Sequence, residues 1–86
     1  MVDDKTRSYS FNGIKNETVR STLQEVAMAL DARGYNPISQ MVGYIISGDP
    51  GYISNYQDAR AKLTSLDRNK VVEELLRTYL GEEWDI

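Results

Sequence analysis

The feature that most constrains this chain is the segment 34–57, in which Asp49 is the single charged residue. Charged residues make up 27% of the whole sequence, and all the others lie in 1–33 and 58–86. A stretch with so little charge is not typical of a solvated surface. This charge-poor segment, as we call residues 34–57, is therefore predicted to form the buried centre of the fold.

The size and residue inventory favour self-association. A chain of 86 residues makes one domain, whose own core is marginal because its surface is large for its volume. Small domains usually need a disulfide, a metal or a partner chain. The sequence has no cysteine and no histidine, which removes disulfides and the usual transition-metal ligands. We therefore expect no metal, no cofactor, and a homodimer.

The charge balance and hydropathy exclude further classes. A net charge of −3 and a pI of about 4.8 argue against a general nucleic-acid binder, which would present a basic face to phosphates. No apolar run approaches the roughly 18 residues of a membrane span. The first residues do not follow the basic-then-apolar order of a secretory signal. These features predict a cytoplasmic protein that does not bind membranes.

Apolar spacing predicts a first helix that begins near Asn16 and ends before Gly34, which can adopt the left-handed conformation. Its apolar positions recur every three or four residues, at Val19, Leu23, Val26 and Leu30. The polar residues 1–15 before it are predicted to form a flexible tail.

A second helix is predicted to begin at once, with Asn36 as the N-cap and Pro37 at the first helical position. Gly48, followed by Pro50, is expected to end it. Its apolar stripe consists of Ile38, Met41, Val42, Ile45 and Ile46. Because an interior glycine weakens a helix, we interpret Gly43 as a site of close helix–helix approach.

Two further helices complete the expected domain. Ser54 and Gln57 have the spacing of a capping box, which predicts a third helix beginning there. Asp67 can cap a fourth helix that Gly81 ends. The apolar stripe of the fourth helix is broad and consists of Val71, Val72, Leu75, Leu76, Tyr79 and Leu80.

The predicted fold is all-α, a small bundle of about four helices with short Gly/Pro/Asx turns, packed or intertwined as a homodimer. Residues 1–15 are its flexible tail, 16–81 its helical domain, and 82–86 an acidic C-terminal tail. The residues predicted to form the dimer interface and core are Tyr35, Ile38, Met41, Val42, Tyr44, Ile45 and Ile46.

No catalytic constellation is evident, and we predict that the protein is not an enzyme. The neighbouring Glu73 and Glu74 face different directions on a helix, so they cannot act as a carboxylate pair. The segment 48–51 has the glycines of a phosphate-binding loop but lacks the following Lys-Ser/Thr and the preceding strand. We interpret it as a helix end followed by a tight turn.

Two alternatives stay open at this point. The second and third helices could form a helix-turn-helix that binds DNA, although a recognition helix there would offer only Arg60 and Lys62 as cations. The charge-poor segment could also line a ligand pocket with its tyrosines, but core or interface positions are more typical of tyrosine. The four tyrosines concerned are Tyr35, Tyr44, Tyr52 and Tyr56.

The N-terminal segment offers hydroxyl groups to a kinase, at Thr6, Ser8 and Ser10. Phosphorylation would add about −1.5 to −2 charges to a nearly neutral segment. It could then dock on basic positions such as Arg20 or Arg33, or be released from an acidic surface.

Longer stretches of the sequence resemble the IreB family, small regulatory phosphoproteins of low-GC Gram-positive bacteria. The matching motifs run over roughly residues 4–80 and read Arg-Gly-Tyr-Asn-Pro-Ile at 33–38, Val-Gly-Tyr-Ile-Ile-Ser-Gly-Asp-Pro at 42–50, and Val-Val-Glu-Glu-Leu-Leu-Arg-Thr-Tyr-Leu at 71–80. A match of this length and order is far more specific than a short motif.

The resemblance implies a cytosolic homodimer phosphorylated on an N-terminal threonine by a membrane-anchored, PASTA-type Ser/Thr kinase and dephosphorylated by a cognate phosphatase. It also implies a pathway, with an unidentified downstream protein, that tunes cell-envelope integrity and resistance to cell-wall antibiotics. The family's threonine followed by spaced aromatics falls on Thr6, Tyr9 and Phe11. Asp3 stands where some members have a second threonine, so Thr6 alone inherits the phosphoacceptor role.

The sequence departs from the family pattern after the Gly-Asp-Pro turn. The family usually continues with Ala-Tyr-Ile-Pro and basic residues, whereas this chain has Gly51, Ser54 and Tyr56 at departing positions. The turn is therefore expected to be looser and its surface less basic.

Overall fold

The computed structural model describes the backbone of residues 3–81 and the side chains of residues 18–81. In that part of the chain there are four α-helices and no strand. The helices are α1 (Asp3–Ala32), α2 (Pro37–Ser47), α3 (Ala59–Thr64) and α4 (Arg68–Leu80), with 3₁₀ turns at Pro50–Tyr52 and Tyr56–Asp58. The predicted all-α class is confirmed.

Helix α1 begins at Asp3, well before the start predicted near Asn16. Asn16 thus lies inside the helix and not at its start. No proline occurs between residues 3 and 32, so the local sequence does not force the helix to begin at Asn16. The flexibility predicted for residues 1–15 is a separate property and stays a prediction.

The junction between α1 and α2 forms as its local sequence predicts. Gly34 adopts a φ of 86°, and its N–H donates to the Asp31 carbonyl at 2.9 Å. The Asn36 side chain then accepts from the Ser39 N–H at 3.0 Å, and Pro37 occupies the first turn of α2. Both the αL glycine and the N-cap satisfy backbone groups that helix ends leave free.

The C-terminal end of α2 is fixed by a glycine and by a distant arginine. Gly48 has a φ of 77° and donates its N–H to the Tyr44 carbonyl at 2.7 Å. The Arg68 guanidinium donates from Nη1 to the Ile45 carbonyl at 2.9 Å. A cation at this end also suits the negative pole of the helix dipole. The interaction therefore ties the start of α4 to the end of α2.

Gly43 does not mediate the helix–helix approach that its position suggested. A Cβ atom built on Gly43 would lie 2.9 Å from Cγ and Cε1 of the Tyr52 ring. The glycine therefore makes room for an aromatic side chain of the first 3₁₀ turn, which packs against α2 at this position. The sequence alone could not show this, because the turn folds back by tertiary packing.

The capping box predicted at Ser54 and Gln57 is wrong. Gln57 and Asp58 adopt φ angles of 53° and 63°, so the chain makes a left-handed kink before α3 begins at Ala59. The Ser54 N–H instead donates to Oε1 of Gln40 at 3.0 Å. Arg60 donates from Nε to the Ile53 carbonyl at 2.9 Å. These two bonds, of which the one from Ser54 to Gln40 is long-range, override the local capping signal.

Helix α4 begins and ends where the sequence predicts. The Asp67 carboxylate accepts from the Asn69 N–H at 2.9 Å, as an N-cap does. Gly81 follows the last turn with a φ of 99° and donates to the Arg77 carbonyl at 2.9 Å.

The core lies on one side of α1. It is closed by α2, by α3 and by Ile53, the residue after the first 3₁₀ turn. It contains no buried polar or charged side chain within the described residues. Its buried members are Val26, Ala29, Leu30, Tyr44, Ile53, Ala59 and Leu63, and Leu23, Met41, Ile45, Tyr56 and Leu66 pack against them. The apolar stripe predicted for the first helix is confirmed by Val26 and Leu30, which are fully buried.

The charge-poor segment is not the buried centre of a single chain. Within it only Tyr44 and Ile53 are buried, and most of its other residues are exposed or half-buried. The reason is that one face of α2 suffices to close a core this small. Met41, Ile45 and Tyr56 pack against the core from its edge, and the exposed large apolar residues of the segment are Tyr35, Ile38, Val42, Ile46 and Tyr52.

We expect Leu30→Ala to lower the free energy of unfolding by about 2–5 kcal/mol, because it deletes a fully buried side chain and leaves a cavity. Leu76→Ala is the matched control, since Leu76 is 53% exposed, and it should cost less than about 0.5 kcal/mol. Urea unfolding followed by circular dichroism measures both. Equal losses would contradict the assignment of the core.

Gly43→Ala should destabilise the chain by about 1 kcal/mol, because the overpacking cost of about 1–3 kcal/mol exceeds the gain in helix propensity. In a Tyr52→Ala background the same substitution should stabilise by up to about 1 kcal/mol, since the ring is gone. A double-mutant cycle from urea unfolding supplies the test. If Ala at position 43 stabilised both backgrounds equally, the packing of Tyr52 on α2 would be disproved.

Candidate interaction surfaces

The described residues offer surfaces rather than a chemical centre. Enzymes typically bury titratable groups in a cleft, whereas no charged or polar side chain is buried among residues 18–81. Nor do these residues bring three potential acidic metal ligands together. Glu73 and Glu74 point apart as predicted: Glu73 lies 3.9 Å from Lys70 and 4.0 Å from Arg77, whereas Glu74 faces α1.

The first exposed surface is the outer side of α2. Ile38, Val42 and Ile46 follow one another at intervals of four residues, and Ile38 and Ile46 are 71% and 78% exposed. Such spacing places three side chains in one row along a helix. We call this row the α2 face. An aliphatic row with this exposure is typical of a contact site.

The residues predicted as interface and core therefore divide into two sets. Tyr44 is buried, and Met41 and Ile45 pack against the core. The four others, which are exposed, are Tyr35, Ile38, Val42 and Ile46. The structure thus shows which of these seven residues face the core and which are exposed. The sequence could only group them as apolar and aromatic residues of the charge-poor segment.

The second exposed surface lies on α4, where Val71 is buried and five large apolar residues are exposed: Val72, Leu75, Leu76, Tyr79 and Leu80. The apolar spacing predicted this stripe but no role for it. The breadth of this stripe was the sequence feature that indicated an exposed apolar surface, since a helix that covers a core on one side needs a narrower apolar stripe.

A groove runs between α1 and α4 and has a volume of about 460 Å³. Apolar side chains from both helices form much of its wall, and Arg20 and Glu74 add one charge of each sign. The lining residues are Val19, Arg20, Leu23, Gln24, Glu74, Leu75, Thr78 and Tyr79. Sequence reasoning missed this groove, because it depends on how α4 lies against α1.

The four central tyrosines do not line this groove. Tyr44 is buried in the core, Tyr52 lies on Gly43, and Tyr56 packs against the core beneath Arg33. The Arg33 guanidinium carbon is 5.2 Å from the centroid of the Tyr56 ring, a cation–π distance. These positions favour the structural role of the tyrosines over the ligand-pocket hypothesis.

The cations of the helix-turn-helix alternative form bonds within the chain. Arg60 donates to the Ile53 carbonyl, and Lys62 lies 3.4 Å from the Glu25 carboxylate. Helix α3 itself has only six residues, which is short for a recognition helix. The geometry therefore offers no support to the DNA-binding alternative.

The segment 48–51 is a helix end followed by a turn, as predicted. Oδ1 of Asp49 accepts the Gly51 N–H at 2.9 Å, and this carboxylate occupies a donor that a phosphate loop would need. The Ser47 hydroxyl accepts the Asp49 N–H at 2.9 Å, which tightens the turn further.

The predicted phosphoacceptor Thr6 and the neighbouring Ser8 and Ser10 lie outside the residues whose side chains are described. Their backbone falls within the bounds of α1. Of the docking positions considered for a phosphate, Arg33 stacks on Tyr56 and Arg20 lines the groove.

A comparison with protein families decides the relationship. The family model described as IreB regulatory phosphoprotein matches residues 4–81. The chain belongs to the IreB family. The match covers the four helices together, so the resemblance read from the motifs is confirmed, and membership supports a regulatory phosphoprotein role. Within residues 3–81, no helix of this IreB-family chain combines the length and apolarity needed to cross a membrane.

Proposed function

We propose that this chain is a non-catalytic, cytoplasmic regulatory protein that acts through protein–protein contacts and is switched by phosphorylation of Thr6. Membership of a family of regulatory phosphoproteins is the observation that carries the proposal. The absence of buried polar side chains among residues 18–81 is in keeping with binding rather than catalysis.

The enzymes that we propose for the switch are a PASTA-type Ser/Thr kinase and its cognate phosphatase. Their pathway would modulate the cell-envelope stress response and resistance to cell-wall antibiotics, through a downstream protein that binds one phosphorylation state. Thr6 is proposed as the acceptor because it matches the family's tail pattern, whereas Asp3 replaces the second threonine. The added charge of about −1.5 to −2 would change which surface this segment contacts.

A homodimer through the α2 face is the second part of the proposal. Ile38, Val42 and Ile46 form an exposed aliphatic row within the charge-poor segment. Burying such a row against its own copy would stabilise the pair, since each large aliphatic side chain contributes about 1.5–3 kcal/mol on full burial. A twofold axis would place the row against itself.

Thr6→Ala should abolish most of the phosphate incorporated by the host's PASTA-type kinase. Thr64→Ala is the matched control, since the Thr64 hydroxyl already donates to the Arg60 carbonyl at 2.9 Å, and it should leave phosphorylation unchanged. Phosphopeptide mapping by mass spectrometry gives the readout. Label on Ser8 or Ser10 with Thr6 unmodified would refute the assignment.

Ile46→Glu should convert the dimer to a monomer, because an unpaired carboxylate in an apolar interface costs several kcal/mol and weakens association at least about 100-fold. Leu76→Glu, an equally simple change on the exposed side of α4, should leave the dimer intact. Sedimentation equilibrium at micromolar concentration distinguishes the two states. A wild-type monomer of 9.8 kDa, or dissociation caused only by Leu76→Glu, would disprove the α2 interface.

A further inference from the structure

The groove between α1 and α4 presents apolar side chains from both of its walls. On α4, Tyr79 is 89% exposed and Leu75 is 45% exposed, and on α1 Val19 and Leu23 are only partly buried. All four line the groove, whose volume is about 460 Å³. None of them belongs to the α2 face, so the dimer contact proposed above gives this surface no role.

The apolar side chains of the two walls have the same spacing. Val19 and Leu23 are four residues apart on α1, and Leu75 and Tyr79 are four residues apart on α4. Four residues make about one helical turn, so the members of each pair are about 6 Å apart along their helix axis. A third helix presents its own apolar side chains at this interval, and rows with this spacing interlock when helices pack. The walls of the groove therefore match the surface of a helix.

Other common occupants fit this groove less well. A small-molecule site orients its ligand with polar groups placed inside the pocket, whereas no polar or charged side chain among residues 18–81 is buried. A peptide that binds by adding a strand needs the edge of a sheet, and the described residues 3–81 contain no strand. An amphipathic helix needs only an apolar groove for side chains that recur every three or four residues.

The two walls of the groove carry opposite charges. Arg20 lines it on α1, next to Val19, and Glu74 lines it on α4, next to Leu75. Neither takes part in an ion pair with another described residue. A charged group on an occupant is attracted by the wall of opposite sign and repelled by the wall of like sign. The complementary occupant therefore carries acidic residues on the flank that faces α1 and basic residues on the flank that faces α4.

From this spacing and this charge arrangement we infer that the groove binds an amphipathic helix of a partner protein. The apolar row of that helix enters between the walls, with its acidic flank along α1 and its basic flank along α4. The charges also set the direction of the helix, because turning it end for end exchanges its flanks. The inference rests on the proposed function, regulation through protein–protein contacts, and names the class of segment that the partner presents. It is independent of Thr6 and of the α2 face.

Three synthetic helical peptides of about 15 residues test this inference on the full-length protein. They share one row of leucines at helical spacing and differ in the flanks of this row, which are one acidic and one basic, both acidic, or both basic. Fluorescence anisotropy of the labelled peptides measures their affinities. We expect the mixed peptide to bind at least about threefold more tightly than the other two. Its binding should shift the amide NMR signals of the groove residues and not those of the α2 face.

Arg20→Glu makes both walls acidic, so the preference should move to the peptide with two basic flanks. Lys70→Glu is the matched control, because it makes the same change of charge on α4 at a residue that does not line the groove. It should leave the preference for the mixed peptide unchanged. Circular dichroism checks that each variant keeps its helices.

Leu75→Ser should weaken binding of the mixed peptide at least about tenfold, because it removes apolar surface from the α4 wall. Leu76→Ser is the matched control, since Leu76 is the adjacent leucine with similar exposure and does not line the groove. It should leave the affinity unchanged.

The inference is overturned if no peptide binds at about 1 mM, if the three peptides bind equally, or if Arg20→Glu and Lys70→Glu alter the preference alike. An affinity for the mixed peptide that rises as the wild type is diluted would assign the groove to a second copy, which also contradicts the inference. Phosphate incorporation at Thr6 and the effect of Ile46→Glu on sedimentation are separate readouts. Either of those proposals can therefore fail while the peptide affinities stay as expected, and the reverse also holds.

Discussion

The burial of one face of α1 is the interaction on which the rest of this structure depends. Val26 and Leu30 on that face are fully buried, and α1 contacts each of α2, α3 and α4. Ile53 and Leu63 close the same cluster from the turn region and from α3. Helix α3 and the second 3₁₀ turn pack against α1 and are too short to be stable alone, so they depend on this face.

A core of this size leaves much apolar surface outside it. No disulfide compensates, since the sequence has no cysteine. The outer sides of α2 and α4 therefore expose aliphatic and aromatic residues that a larger domain would bury. Exposed apolar patches are typical of sites where partners bind. We therefore propose that the same constraint that limits stability leaves the surfaces through which this protein makes its contacts.

Local sequence signals predicted the helix ends that depend on neighbouring residues. Asn36, Gly48 and Asp67 cap helices as expected, because each bonds to a backbone group within four residues. The start of α3 was mispredicted because its determinants lie far away in the chain: Gln40 binds the Ser54 N–H and fixes a path that the capping box could not. The role of Gly43 was misread for the same reason.

The candidate sites were predictable to a similar degree. The charge-poor segment contains residues of both the core and the α2 face, but helical periodicity alone could not say that Tyr44 faces inward while Ile38 and Ile46 face outward. The groove between α1 and α4 was not predictable, since it arises from the placement of two elements about fifty residues apart. Thr6 was identified by family resemblance, which no physical property of its neighbours could replace.

The central claim is that this IreB-family chain works through its exposed apolar surfaces, with the α2 face as the contact between two copies. Isotope-filtered NOE spectroscopy on a mixture of labelled and unlabelled protein tests it most directly. The account predicts intermolecular NOEs among the methyl groups of Ile38, Val42 and Ile46. A spectrum without intermolecular NOEs, or with NOEs confined to Leu76 and Leu80 of α4, would contradict it.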